Sequence, residues 1–139
     1  MNKKIYIASD HAGYLLKDNL IKKFPQLFTN LGTNSNENVD YPDYAHELTN
    51  KINETPNSMG ILICGTGVGM SIAANRNPNI RAGIVHNAEI AKLIRQHNDA
   101  NVLVLPGRFI DVHEAIKCVE NFLNTEFESG RHKKRIDKI

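Results

Sequence analysis

The run Cys64-Gly65-Thr66-Gly67-Val68-Gly69-Met70-Ser71 sets a thiol and a hydroxyl among alternating glycines. It follows the apolar segment Gly60-Ile61-Leu62-Ile63-Cys64 and opens an amphipathic stretch, so it reads as a strand-to-helix turn. Glycines let a ligand approach the backbone closely and accept positive φ. The free N–H groups of a helix start face such a ligand, and the helix dipole favours negative charge there. The loop therefore suits an oxyanion or a phosphate. The plainer reading is a tight turn whose glycines serve packing. A helix N-terminus can lower a thiol from about 8.5 toward neutrality, so Cys64 can serve as general base or nucleophile. Otherwise it is a small buried residue at a strand end. Met70 cannot ionise, which leaves Cys64 as the base within this loop.

Several named motifs fail here. A dinucleotide fingerprint needs G-x-G-x-x-G after the first strand, whereas this loop is G-x-G-x-G after the third. A Walker loop needs Gly-Lys-Ser/Thr, and Met70 follows Gly69. A phosphatase cradle built on Cys64 would need an arginine where Met70 stands.

Three further groups carry polar chemistry. In Ser9-Asp10-His11-Ala12-Gly13, Asp10 can accept from sugar hydroxyls and His11 can meet an anion or a proton; Asp10 can equally cap the next helix. In Arg95-Gln96-His97-Asn98-Asp99, the imidazole of His97 suits proton shuttling, or it sits at a helix C-terminus opposite the dipole. Arg108 follows Pro106-Gly107. In Gly130-Arg131-His132-Lys133-Lys134-Arg135, the spacing of Arg131 and Arg135 puts them on one helix face, able to clamp a phosphate or to lie in a solvated basic tail. His46, His86 and His113 lack comparable polar neighbours and read as surface or structural. No His, Cys, Asp or Glu set has metal-ligand spacing, so no metal is expected.

The elements that position these groups alternate. Strands are predicted at Lys4–Ala8, Phe28–Leu31, Gly60–Cys64, Ile80–Val85 and Val102–Leu105. Helical periodicity fills residues 15–24, 42–53, 67–77, 88–97 and 112–123, with Gly32–Asp40 as a long polar loop. A basic, amphipathic helix is predicted over about 126–139, suited to packing on a partner subunit. Near-continuous apolar strands alternating with helices predict a parallel sheet covered on both faces. The expectation is one α/β domain over residues 1–139, a Rossmann-like three-layer sandwich with a five-stranded parallel sheet. Ligands then bind beyond the carboxyl ends of the strands, near the loops that start at Ser9, Cys64, His86 and Pro106.

Composition narrows the function classes. With 17 Lys and Arg against 15 Asp and Glu, the net charge of +2 gives no electrostatic case for nucleic acid or an anionic membrane. The 6% aromatic content, without Trp, does not supply a stacking platform for single strands. No apolar run is long enough to span a membrane. The charged start Met1-Asn2-Lys3-Lys4 is followed by a run broken at Ser9, Asp10 and His11, so no signal peptide is expected. Cys64 and Cys118 lie in unlike contexts and predict no disulfide, with the cytoplasm as the expected location. Cys118 falls in the apolar periodicity of a helix and reads as structural.

Ser9-Asp10-His11-Ala12-Gly13, Val39-Asp40-Tyr41-Pro42, Ile63 to Gly69, Ser71-Ile72-Ala73-Ala74-Asn75, Arg95-Gln96-His97-Asn98 and Gly130 to Arg135 together resemble the type B ribose-5-phosphate isomerases, in the family of pentose and galactose 6-phosphate isomerases. The resemblance covers nearly the whole chain. It implies a Rossmann-like fold, no metal or other cofactor, and a homodimer or dimer of dimers with sites between subunits. It implies interconversion of ribose 5-phosphate and ribulose 5-phosphate in the pentose phosphate pathway. By motif, Cys64 would move the proton between C1 and C2, and the amides of Gly65, Thr66, Gly67, Val68 and Gly69 would hold the enediolate. His97, helped by Thr66, would open the furanose ring. Asp10 and Asn98 would bind hydroxyls, and His11, Arg108, Arg131 and Arg135 the phosphate, some of them from the other subunit. Members with Glu at the place of Met70 use it as base; this chain matches the cysteine type. A six-carbon aldose 6-phosphate is the neighbouring alternative. A non-catalytic phosphate- or nucleotide-binding module is the alternative of a different class.

Overall fold

The computed structural model describes residues 3–139; Met1 and Asn2, which begin the charged N-terminal run, lie outside the described residues. Apolar segments too short to bury both faces alone pair side by side. In chain order the elements are β1 (Lys4–Ser9), α1 (Tyr14–Lys23), β2 (Phe28–Asn30), α2 (Tyr41–Glu54), β3 (Ser58–Cys64), α3 (Val68–Asn75), β4 (Ala82–Ile84), α4 (Ala88–Asn98), β5 (Val102–Pro106), α5 (Val112–Asn124) and α6 (Arg131–Ile136). The five strands form one sheet in the order β2-β1-β3-β5-β4, and every pairing is parallel. The expected α/β sandwich with a five-stranded parallel sheet is the observed one.

Side chains alternate across the sheet and divide the core in two. Ile5, Ile7, Ile61, Ile63, Leu103 and Leu105 face α1, α4 and α5. Tyr6, Ala8, Leu62, Cys64, Val102 and Val104 face α2 and α3. Sequence order reverses between β1 and β3, so the turns after Ser9 and Cys64 flank the switch point, where open α/β sheets bind ligands.

Differences from expectation have local causes. β3 starts at Ser58 because Lys4 and Ile5 already pair there with Ser58 and Met59. β4 is shortened to Ala82–Ile84: Asn79 takes a positive φ of 65°, and the Arg81 amide is held by Asn101 Oδ1 at 2.8 Å. The basic tail is not helical from 126. Thr125 is extended, Ser129 and Gly130 take positive φ of 62° and 56°, and helix resumes only at Arg131. The polar loop from Gly32 is fastened beneath α1, where buried Lys17 donates to Asn30 Oδ1 and Asn34 Oδ1 at 2.8 and 3.1 Å.

The start of α1 lies directly on β3. A Cβ built at Gly13 would stand 2.5 Å from the Ile63 carbonyl oxygen, a backbone atom that cannot swing away. Gly13→Ala should therefore cost about 1–3 kcal/mol, the usual range for overpacking. The check is the urea midpoint at unchanged m-value.

Candidate active site

Three turns at the carboxyl edge of the sheet are locked together by their main chains. The Asp10 N–H donates to the Ile63 carbonyl (3.2 Å), the Gly107 N–H to the Cys64 carbonyl (2.8 Å) and the Arg108 N–H to the Gly65 carbonyl (3.0 Å). Asp10, His11, Cys64, Gly65, Thr66, Val68, Gly69 and Arg108, with Ala12, Tyr41 and Ile72, line one open cleft of about 480 Å³. A larger cavity of about 680 Å³ opens at the opposite edge between α1 and α5, walled by Phe24, Leu27, Val119 and Leu123. It holds no thiol, histidine or glycine loop.

Cys64 is 5% exposed yet borders the cleft. Its Sγ accepts the Gly67 N–H at 3.2 Å, so a main-chain dipole points at the sulfur from the start of α3. Gly67 adopts φ +81°, a left-handed conformation that side chains rarely adopt, and this lets α3 leave directly from a peptide whose N–H stays on Cys64. Thr66 Oγ1 accepts the Val68 N–H at 3.2 Å. In the free chain the amides of Gly67 and Val68 are thus engaged within the loop, each by a side chain that itself borders the cleft.

The surrounding groups are fixed from behind. Asp10 is buried, and its Oδ1 accepts the Gly13 N–H at 3.0 Å. It organises the turn before α1 and borders the cleft at once. His11 Nδ1 accepts the Val39 N–H at 3.2 Å, which leaves Nε2 as the ring's proton-carrying donor. Arg108 lies over Gly65, where a Cβ would meet its Cδ and a guanidinium nitrogen at 3.5 Å.

Tyr41 is a cleft residue that sequence reasoning did not single out, although its motif was legible. Asp40 is the N-cap of α2 and Pro42 stands in its first turn, which places Tyr41 at the helix start. A Cβ at Gly69 would fall 2.5 Å from the Tyr41 ring, so glycine there makes room for the phenol. Ala12 and Ile72 were likewise not assigned to the site.

The remaining sequence candidates stand elsewhere in the chain. α4 is capped by Asn87, whose Oδ1 accepts the Ile90 N–H, and ends where Asp99 turns left-handed at φ 47°. It runs back against the strand direction, so His97 and Asn98 reach the amino edge of the sheet, near the start of β5. The Glu128 N–H donates to the Gln96 carbonyl at 3.1 Å and ties the tail to that end. The ring of His97 stacks on that of His132, with centroids 4.5 Å apart. Arg131 and Arg135 are exposed on α6. One chain therefore gathers Asp10, His11, Cys64 to Gly69 and Arg108 at one edge, and His97, Asn98, Arg131 and Arg135 at the other. Val68, Ile72 and Phe109 beside the cleft are large apolar residues 53%, 57% and 67% exposed.

Linear spacing gave no metal-ligand set, yet the fold brings ligand atoms of His97, Glu128 and His132 within 4.8 Å of one another. The signal was hidden because two of the three lie on the tail and the third on α4.

Comparison with known proteins adds family membership to this geometry. Residues 5–139 match the family model described as Ribose/Galactose Isomerase. A probable ribose-5-phosphate isomerase B of Mycoplasma pneumoniae is 50% identical, over 100% of this chain and 94% of that protein. The crystal structure of a ribose 5-phosphate isomerase from Thermotoga maritima superposes with a TM-score of 0.94 at 47% identity, covering 99% of this chain and 97% of that one. A Mycoplasma genitalium ribose-5-phosphate isomerase B with bound ribulose-5-phosphate gives a TM-score of 0.91 at 44% identity, covering 99% and 94%.

The two thiols should behave differently. Cys118 is fully buried in α5, and burial, reinforced by Glu114, pushes its thiol up to about 12. At pH 8 iodoacetamide should modify Cys64 alone in the native protein and both cysteines after unfolding. Peptide mass mapping checks this; native labelling of Cys118 would contradict the packing.

Proposed function

The chain belongs to the ribose/galactose isomerase family, and from that premise we propose that it interconverts ribose 5-phosphate and ribulose 5-phosphate through an enediolate. The observation that carries this reading is Cys64 at a cleft, its sulfur met by the Gly67 amide and flanked by a glycine loop with an arginine above it.

A proton α to a carbonyl is weakly acidic, and its removal needs a positioned base and donors for the oxyanion that develops. In this reading Cys64 is that base, carrying the proton between C1 and C2. When its thiolate takes the proton, the charge moves to the substrate oxygen, and the amides from Gly65 to Gly69 are the donors at hand. One such donor is worth about 3 kcal/mol. Main-chain donors make this route independent of a metal. Asp10 binds a sugar hydroxyl, and His11 with Arg108 meets the phosphate. Binding energy from that remote group holds the open-chain sugar for proton transfer.

Ring opening falls to His97 with Thr66, while Asn98 binds a hydroxyl and Arg131 and Arg135 complete the phosphate site. Because these groups stand at the far edge of their own chain, we assign them to the cleft of a second copy in a homodimer. The exposed Val68, Ile72 and Phe109 beside the cleft support such a contact. In the same reading α6 packs on the partner. A cytoplasmic location accords with two cysteines that form no disulfide. Among the described residues no helix is long and apolar enough to cross a membrane.

Chelator-treated protein incubated with ribose 5-phosphate should yield ketose. Cys64→Ala should lower kcat by about 10²–10⁴-fold, the usual weight of a general base, with circular dichroism and native mass unchanged. Near-normal turnover would remove Cys64 from the mechanism. His97→Asn should slow the cyclic substrate more than the open-chain form, which pre-steady-state assays on each resolve.

A further inference from the structure

The mechanism uses His97 but leaves its neighbours unexplained. His132 is 6% exposed, and its Nε2 is a buried nitrogen without a hydrogen-bond partner among the described residues. That nitrogen sits 3.6 Å from Glu128 Oε1, and the His97 ring lies parallel to the His132 ring at 4.5 Å. A buried imidazole nitrogen without a partner is costly, so it marks a place where a ligand belongs.

We propose that His97, Glu128 and His132 form a binding site for a zinc-class divalent cation, and that filling it withdraws His97 from the sugar. Two histidines and one glutamate, with water in the fourth position, are an established zinc ligand set. At metal–ligand bonds of about 2.0–2.1 Å, tetrahedral ligand atoms stand about 3.3 Å apart. The His132–Glu128 pair is already at 3.6 Å, and all three donors lie within 4.8 Å. Closing the remainder needs only side-chain rotation by exposed Glu128 and half-buried His97. The backbones are held, the Glu128 amide by the Gln96 carbonyl and the His132 amide by that of Ser129.

Arg131 and Arg135, on the same helix as His132, repel a dication; the Glu128 carboxylate, 3.6 Å from His132 Nε2, supplies the site's anionic ligand.

The withdrawal of His97 rests on its assignment to ring opening; the site itself does not. Chelator-treated full-length protein is titrated with Zn²⁺ by calorimetry. One ion per chain is expected, with affinity weakened at least about tenfold in Glu128→Gln and in His132→Asn, since even outer-shell changes cost that much. Cys64→Ser should bind as the parent does. Co²⁺ should give visible d–d bands without the thiolate charge-transfer band that Cys64 would produce. Zn²⁺ should inhibit ribose 5-phosphate isomerisation by the parent, while Glu128→Gln keeps the basal rate and loses the sensitivity. Binding unchanged in both ligand variants, or abolished in Cys64→Ser, would overturn the site. Zinc held by these three residues with turnover untouched would overturn the withdrawal of His97. The binding arms need no turnover, so failure to isomerise ribose 5-phosphate would count against the isomerase reading alone.

Discussion

The Gly67 amide on the Cys64 sulfur depends on a turn that could not form around most side chains. Gly67 must be left-handed for α3 to start while its N–H stays on the sulfur, and the Cys64 and Gly65 carbonyls must be held by Gly107 and Arg108 for the turn to stay fixed. Each condition is met by main chain. Preorganised main-chain dipoles need little rearrangement as charge shifts during a reaction, which is why such a turn can serve an enediolate without a metal. The buried strands beneath give the turn its rigidity: Ile63, Cys64 and Leu105 expose 5% or less of their surface.

The same steric logic gives three glycines different tasks. At Gly13 the missing side chain lets α1 settle on the Ile63 carbonyl, which brings Asp10 and His11 to the edge of the cleft. At Gly67 the task is conformational. At Gly69 it is room for the Tyr41 ring. A single run of glycines in the sequence thus joins two elements, β3 and α2, that are distant along the chain. That coupling explains how Tyr41 becomes a wall of a cleft whose floor is the β3–α3 turn.

The fold was legible because its signals are local: apolar strands of three to seven residues, helical periodicity between them, and turns rich in Gly and Asn. The cleft residues next to strand ends were legible for the same reason, since a strand's carboxyl end fixes where its loop goes. Tyr41 was not, because its position depends on how α2 packs over a loop. The break at Ser129 and Gly130 was missed because the apolar spacing of Phe127, Ile136 and Ile139 resembles a helix even where positive φ interrupts it. The grouping of His97, Glu128 and His132 was invisible for a topological reason: the tail folds back onto α4 through one backbone bond, from Glu128 to Gln96.

Sheet polarity has a further consequence for function. In a parallel α/β sheet every helix returns the chain to the amino edge, so a residue late in a helix is carried away from the loops that bind ligands. His97 stands in the last turn of α4 and shares that fate, at the sheet edge opposite its own Cys64. In the proposed reading, which uses both groups, the amino edge of one copy meets the carboxyl edge of another. Under a two-fold axis the exchange is reciprocal, so one contact completes two clefts. The apolar residues beside the cleft, exposed in the single chain, then gain a physical reason for being there. So does the position of the arginines on α6, which would arrive with His97 as one rigid group at the phosphate end of the partner's cleft.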